Sequence, residues 1–129
     1  MDIYGEIILD HFKNPRQAGL LEQADVIGED FNPLCGDKVK ISLKISEQGV
    51  IEEFGFLGDG CAISVASSSI LGEKLIGRKL EEVLKMESEE MLKLLEIPIS
   101  AGRVKCALLG FSCVKKSATI YLAEHKNHD

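Results

Sequence analysis

Strict alternation of apolar and polar residues between positions 38 and 45 predicts the clearest β-strand of the chain. The apolar residues share one face and the lysines share the other, which indicates a sheet that is buried on one side only. Residues 46–49 predict a hairpin turn, followed by a return strand over residues 50–57. A weaker strand is expected over residues 26–31. The Gly-Asp-Gly sequence at 58–60 is expected to break the return strand.

Apolar residues at helical spacing predict helices on both sides of these strands. We expect an amphipathic helix over residues 2–14, in which His11 is a partly buried structural residue, and a helix of small residues over 62–76. Two short helices follow, and a last helical region opens at Cys106. This order predicts an α+β fold with helices packed on one face of a small antiparallel sheet. Residues 1–129 are expected to form a single domain.

Composition and charge argue against several classes of function. The chain has 15 Lys and Arg against 21 Asp and Glu, a formal net charge of −6, which disfavours a nucleic-acid or anionic-membrane binder. No apolar run approaches the roughly 18 residues of a membrane span, and the acidic start lacks the basic region of a signal peptide. We therefore expect a cytoplasmic chain whose four cysteines are thiols rather than disulfides.

Three of the four cysteines lie at predicted junctions between loops and regular elements. Cys35 lies in a loop-forming stretch two residues before Asp37, so a soft thiolate and a hard carboxylate share one loop. Cys61 is at a predicted helix start, where the helix dipole favours a thiolate, and Cys106 follows two cations that do the same. Any single cysteine could be a small buried hydrophobe, but three in such positions favour a shared site.

The remaining candidates have simpler alternatives. Cys113 would lie about 10.5 Å from Cys106 along one helix, whereas two thiolates on one zinc are at most about 4.6 Å apart, so it is interpreted as a packing residue. Lys105 could be a base, a neighbour of a bound cluster or a solvated charge. Arg103 could pair bidentately with Asp37, or it could be a surface arginine.

The chain resembles the U-type iron–sulfur cluster assembly scaffolds, the family of IscU, SufU and the NifU N-terminal domain. The resemblance covers nearly the whole chain, from IYGEIILDHFKNPR through the motifs NPLCGD, GDGCAIS and RVKCALL. It implies a three-stranded antiparallel sheet with helices on one face. It also implies that Cys35, Asp37, Cys61 and Cys106 are the ligands of a [2Fe–2S] cluster, of iron or of zinc.

Two departures leave the branch of this family open. IscU proteins have a histidine where this chain has Lys105, and their chaperone motif Leu-Pro-Pro-Val-Lys is replaced at residues 99–103 by ISAGR. The resemblance therefore does not imply a chaperone partner. Arg-Val-Lys-Cys is similar to SufU, in which the arginine faces the ligand aspartate, but the insertion that SufU proteins carry before this motif is missing.

Three hypotheses follow from the resemblance and the residues. In the first, the chain is a scaffold that accepts sulfur from a cysteine desulfurase at Cys106 or Cys35, binds iron, assembles a labile [2Fe–2S] cluster and transfers it to apo-proteins. Such a protein is mainly a carrier rather than an enzyme. The alternative is a zinc-dependent sulfurtransferase of the SufU type that uses the same four ligands. A third possibility is a structural zinc domain used for protein interaction.

Overall fold

The computed structural model describes residues 3–33, 36–95, 99 and 103–126. In these residues, three strands form one antiparallel sheet in the order β1-β2-β3, accompanied by helices, so the predicted α+β fold is confirmed. No helix in the described part of the chain has the length and apolar character needed to cross a membrane. The elements in chain order are α1 (Ile3–Lys13), β1 (Val26–Asn32), β2 (Asp37–Ile45), β3 (Ile51–Asp59), α2 (Ala62–Leu75), α3 (Leu80–Lys85), α4 (Ser88–Leu95) and α5 (Val104–Lys126).

The alternating pattern of β2 separates a core face from an outer face, as predicted. Val39, Ile41 and Leu43 are at most 2% exposed, whereas Lys38 and Lys40 on the opposite face are exposed. Ile41 pairs with Phe56 and Leu43 pairs with Phe54 on β3, so apolar side chains of neighbouring strands meet on the same face. Helices α2 and α5 pack on this face and close the core.

The outer face of the sheet is partly covered, which the alternating pattern did not predict. The connection between α1 and β1 runs along β3, where the backbone N–H of Gly19 donates to Phe56 O at 2.8 Å. The N–H of Leu21 donates to the hydroxyl of Ser42 at 2.9 Å, and Ser42 is 0% exposed although it belongs to the outer face of β2. A buried hydroxyl is tolerated there because it is hydrogen-bonded.

Strand β3 is longer than the sequence predicts. Gly58 and Asp59 were expected to break it, but they pair with Val39 and Lys38 and continue the ladder to Asp59. The hydrogen bonds to β2 therefore override the weak strand propensity of glycine, and the strand ends at Gly60.

Helix α5 begins earlier than predicted. Its first residue is Val104, so Cys106 lies within its first turn rather than at its start. Arg103 forms the turn that leads into the helix.

Small residues allow the helices to approach the sheet and each other closely. A Cβ atom added at Gly110 of α5 would lie 2.8 Å from the hydroxyl of Ser68 on α2, closer than such atoms approach in proteins. A Cβ atom at Gly28 of β1 would likewise collide with the hydroxyl of Ser117 on α5. The position of α5 against α2 and β1 thus depends on these two glycines.

His11 joins α1 to α2 as a neutral imidazole. The hydroxyl of Ser69 accepts the backbone N–H of Arg16 at 2.8 Å, and its own hydrogen is available to Nδ1 of His11 at 2.7 Å. Nε2 of His11 lies 3.8 Å from the carboxylate of Glu73. Burial is the main cause of the lowered pKa of His11. The cation of Arg16 lowers this pKa further, whereas Glu73 and Asp10 raise it by a smaller amount. His11 is therefore a structural residue, as the sequence predicts.

The lowered pKa of His11 predicts a loss of stability in mild acid. The unfolded chain takes up a proton near pH 6.5 but the folded chain does so only at lower pH, so the stabilisation is present above about pH 6.5 and is lost as the pH falls through the folded pKa. His11→Asn, which keeps an acceptor near Nδ1, should make the free energy of unfolding less dependent on pH. Urea unfolding between about pH 7.5 and about pH 5 measures this. Equal pH dependence in the wild type and this variant would contradict the prediction, and His125→Asn, at the exposed end of α5, is the matched control.

Candidate metal centre

The register of the sheet places Asp37 beside the junction between β3 and α2. Asp37 is the first residue of β2, and its neighbour Lys38 pairs with Asp59, the last residue of β3. The chain then passes through Gly60 to Cys61, which precedes the first turn of α2 in an extended conformation. Residues that are distant in the sequence therefore meet at one corner of the sheet.

The carboxylate of Asp37 is buried and receives donors from the start of α2. Asp37 is only 3% exposed. Oδ1 accepts the backbone N–H of Cys61 at 3.2 Å, and Oδ2 accepts the thiol of Cys61 at 3.4 Å and the hydroxyl of Ser64. The side chain of Cys61 itself makes no capping hydrogen bond. Asp37, which lies on β2, caps α2 instead.

The close approach of Asp37 to the chain requires glycine at position 60. A Cβ atom built on Gly60 would lie 2.8 Å from Cβ of Asp37 and closer still to its carboxylate. The Asp37 side chain thus fills the space that any other residue at position 60 would need. The large loss of backbone freedom that glycine undergoes on folding is offset here by a specific contact.

Cys106 joins this group from the first turn of α5. Cys106 is 4% exposed, and one ligand atom each from Asp37, Cys61 and Cys106 all lie within 4.8 Å of one another. Because Ser68 and Gly110 meet further along the same two helices, α2 and α5 run in the same direction and both begin at this site. The positive ends of two helix dipoles therefore converge on Asp37, Cys61 and Cys106.

The one donor pair with a known distance is spaced as two ligands of a tetrahedral metal ion would be. Thiolate and carboxylate ligands bind zinc at about 2.3 Å and about 2.0–2.2 Å, which puts a sulfur and an oxygen ligand about 3.6 Å apart. Sγ of Cys61 and Oδ2 of Asp37 are 3.4 Å apart. Thiolates suit zinc and iron–sulfur clusters, so the chemistry of the donors agrees with the geometry.

The other residues predicted for the site have different positions. Cys35 lies outside the described residues. Arg103 and Lys105 are exposed where α5 begins, and the predicted pairing of Arg103 with Asp37 stays a prediction. Lys105 lines a cavity of about 370 Å³ together with Asn32 and Pro33, which come shortly before Cys35 in the sequence.

Cys113 is a core residue. It is 0% exposed, and burial raises its pKa to about 11, so it is a thiol rather than a thiolate at neutral pH. Within the described residues, the group with metal-ligand geometry contains Asp37, Cys61 and Cys106 but not Cys113. This agrees with the packing role predicted from its helical spacing.

Sequence reasoning missed the roles of Ser64 and Gly60. In the sequence, Ser64 is one of the small residues of the helix predicted over 62–76, and Gly60 is part of the expected strand break. The available signal for Ser64 was its position as the third residue of α2, where side chains can interact with groups that cap the helix. That signal could not identify Asp37 as the partner, because Asp37 lies on β2 and is distant from Ser64 in the sequence.

Comparison with known proteins establishes the family. Residues 3–128 match the family described as "NifU-like N terminal domain". The chain belongs to this family. The resemblance to U-type scaffolds is thereby confirmed.

Relatives within the NifU-like family include both branches suggested by the sequence. The chain is 32% identical to "Iron-sulfur cluster assembly scaffold protein IscU" of Haemophilus influenzae, over 94% of this chain and 97% of that protein. It is 31% identical to "Zinc-dependent sulfurtransferase SufU" of Bacillus subtilis, over 88% of each. The crystal structure of a nitrogen-fixing NifU-like protein (N-terminal) from Brucella abortus superposes with a TM-score of 0.75 at 25% identity, covering 95% of each chain.

The contact between Gly60 and Asp37 predicts a stability defect that does not depend on metal. Gly60→Ala should destabilise the metal-free protein by about 1–3 kcal/mol, because the new Cβ must displace the carboxylate that caps α2. Gly58→Ala is the matched control, since its Cβ would meet Val65 at 3.4 Å and Phe56 at 3.7 Å or more. Urea unfolding with a chelator present measures both. If the two variants unfold at the same urea concentration, the proposed close contact is wrong.

Proposed function

We propose that this protein is an iron–sulfur cluster assembly scaffold. It accepts sulfur from a cysteine desulfurase, binds iron, assembles a labile [2Fe–2S] cluster and transfers it to apo-proteins. The observation that carries the proposal is the meeting of Asp37, Cys61 and Cys106 at the start of two helices, in a member of the NifU-like family.

The proposed ligands of the cluster, or of a single iron or zinc ion, are Cys35, Asp37, Cys61 and Cys106. Three of them meet within 4.8 Å. Cys35 is two residues from Asp37 in the chain, and covalent geometry limits the distance between their Cα atoms to about 7 Å. Three thiolates and one carboxylate form a mixed donor set that suits either occupant.

The charges around the site support an anionic occupant. Neither α2 nor α5 has an acidic residue in its first turn, although acidic residues are favoured there. Arg103 and Lys105 instead add positive charge at the start of α5, which is unfavourable for an isolated helix. Because a [2Fe–2S] core is itself positively charged, the three thiolates and Asp37 supply the negative charge, and the cluster with its ligands balances these cations and the two helix dipoles.

Sulfur delivery requires a thiolate that a partner can reach. In the proposed step, the thiolate of Cys35 or Cys106 attacks the terminal sulfur of the desulfurase persulfide, a new S–S bond forms, and the desulfurase thiolate leaves. Cys106 is 4% exposed, so it can react only after the surrounding side chains have moved.

Release of the cluster is assigned to the oxygen ligand. A carboxylate is a harder ligand than a thiolate and holds a soft iron–sulfur cluster less firmly. Asp37 also has an alternative role as the cap of α2, so it remains stabilised when the cluster leaves. Both features suit a site that gives up its cargo.

Anaerobic reconstitution tests the proposal. The wild-type protein, incubated with iron, sulfide and reductant, should gain the visible charge-transfer absorption of a bound cluster and transfer it to an apo-ferredoxin. Cys61→Ser and Cys106→Ser should lose this absorption because each removes a proposed ligand. Cys113→Ala is the matched control and should retain it, since Cys113 lies in the core outside the ligand group.

Two results would contradict the scaffold proposal. The first is a folded wild-type protein that acquires no cluster absorption. The second is a protein that holds zinc tightly, forms no cluster and stimulates its desulfurase only when zinc is bound, which would assign it to the sulfurtransferases instead.

A further inference from the structure

The hydroxyl of Ser64 lies between the two ligand groups that meet at the start of α2. Ser64 is 6% exposed, donates its hydrogen to Oδ2 of Asp37 and lies 3.6 Å from Sγ of Cys61. Neither the sequence motifs nor the family relation assigns a role to this residue. Both of these polar contacts are with proposed metal ligands.

Of the three hydrogen bonds that Asp37 accepts, one is lost when a metal binds and two can remain. The thiol hydrogen of Cys61 points at Oδ2 over 3.4 Å, and a metal ion displaces it because the thiolate is the ligand. The N–H of Cys61 and the hydroxyl of Ser64 do not compete with the metal. They can hold the carboxylate in the same orientation before and after binding.

We propose that Ser64 is a positioning residue of the metal centre, which orients the carboxylate of Asp37 so that Oδ2 and Sγ of Cys61 face the same metal ion. The inference rests on the proposed function, since it takes Asp37 and Cys61 as ligands. Hydrogen-bond partners of metal-binding carboxylates typically contribute a factor of about 10–100 to metal affinity. Loss of the Ser64 hydroxyl should therefore weaken zinc binding by about tenfold or more.

The same helix provides a matched control. Ser67 is 2% exposed, and its hydroxyl has no hydrogen-bond partner among the described residues. Ser67→Ala therefore removes a hydroxyl of comparable burial from α2 without removing a contact to Asp37. A difference between Ser64→Ala and Ser67→Ala isolates the hydrogen bond from the general effect of altering a buried serine.

Zinc affinity, measured by competition with a chromophoric chelator under reducing conditions, tests the inference. Ser64→Ala should bind zinc at least about tenfold more weakly than the wild type, and Ser67→Ala should bind like the wild type. In the background of Asp37→Ala, Ser64→Ala should have no further effect, because its partner is already missing. A structural role unrelated to Asp37 would lower affinity equally in both backgrounds and would overturn the inference.

A second pair of variants covers the case in which Ser64→Ala does not fold. Thr and Val have nearly the same shape and differ by one hydroxyl, so Ser64→Thr should bind zinc more tightly than Ser64→Val. Equal affinities in this pair would overturn the inference. So would wild-type affinity in Ser64→Ala.

The failure of the inference is distinguishable from the failure of the proposed function. If Asp37→Ala weakens zinc binding and Ser64→Ala does not, the metal site stands and the role of Ser64 is wrong. If the wild type does not bind zinc, or Asp37→Ala binds it as tightly as the wild type, the proposed ligand set and the role of Ser64 are both wrong.

Discussion

The close contact between α2 and α5 is the constraint on which the site depends. With no Cβ at Gly110, α5 lies directly against Ser68 of α2, and the two helices run in the same direction. Both helices therefore begin at the same corner of the sheet, where Cys61 and Cys106 meet. A side chain at the contact would separate the helices and, with them, the two thiols. The small residues of this interface thus act on the site from one to two helical turns away.

The second consequence is electrostatic. Two helix starts direct their positive dipole ends toward one point, and a buried anion there is stabilised. In the metal-free protein, Asp37 meets this need by capping α2 through Cys61 and Ser64. The same carboxylate is the proposed oxygen ligand, so one side chain serves stability without the metal and coordination with it. Gly60 is required for both, because it leaves room for Asp37.

Features governed by local periodicity could be predicted from the sequence. The alternation along β2 predicted its buried face, and helical spacing set Cys113 apart from Cys106. Features governed by contacts between distant segments could not. Pairing with β2 extends β3 beyond Gly58, although glycine alone suggests a break. The role of Ser64 on α2 likewise depends on its contact with Asp37 on β2.

In the proposed metal centre, three thiolates and the carboxylate of Asp37 bind one metal. X-ray absorption spectroscopy of the zinc-loaded protein tests this arrangement most directly, because sulfur and oxygen ligands differ in distance and scattering. We expect three sulfur ligands at about 2.3 Å and one oxygen ligand at about 2.0–2.2 Å. Four sulfur ligands, which would bring Cys113 into the site, or a shell dominated by nitrogen and oxygen would contradict it.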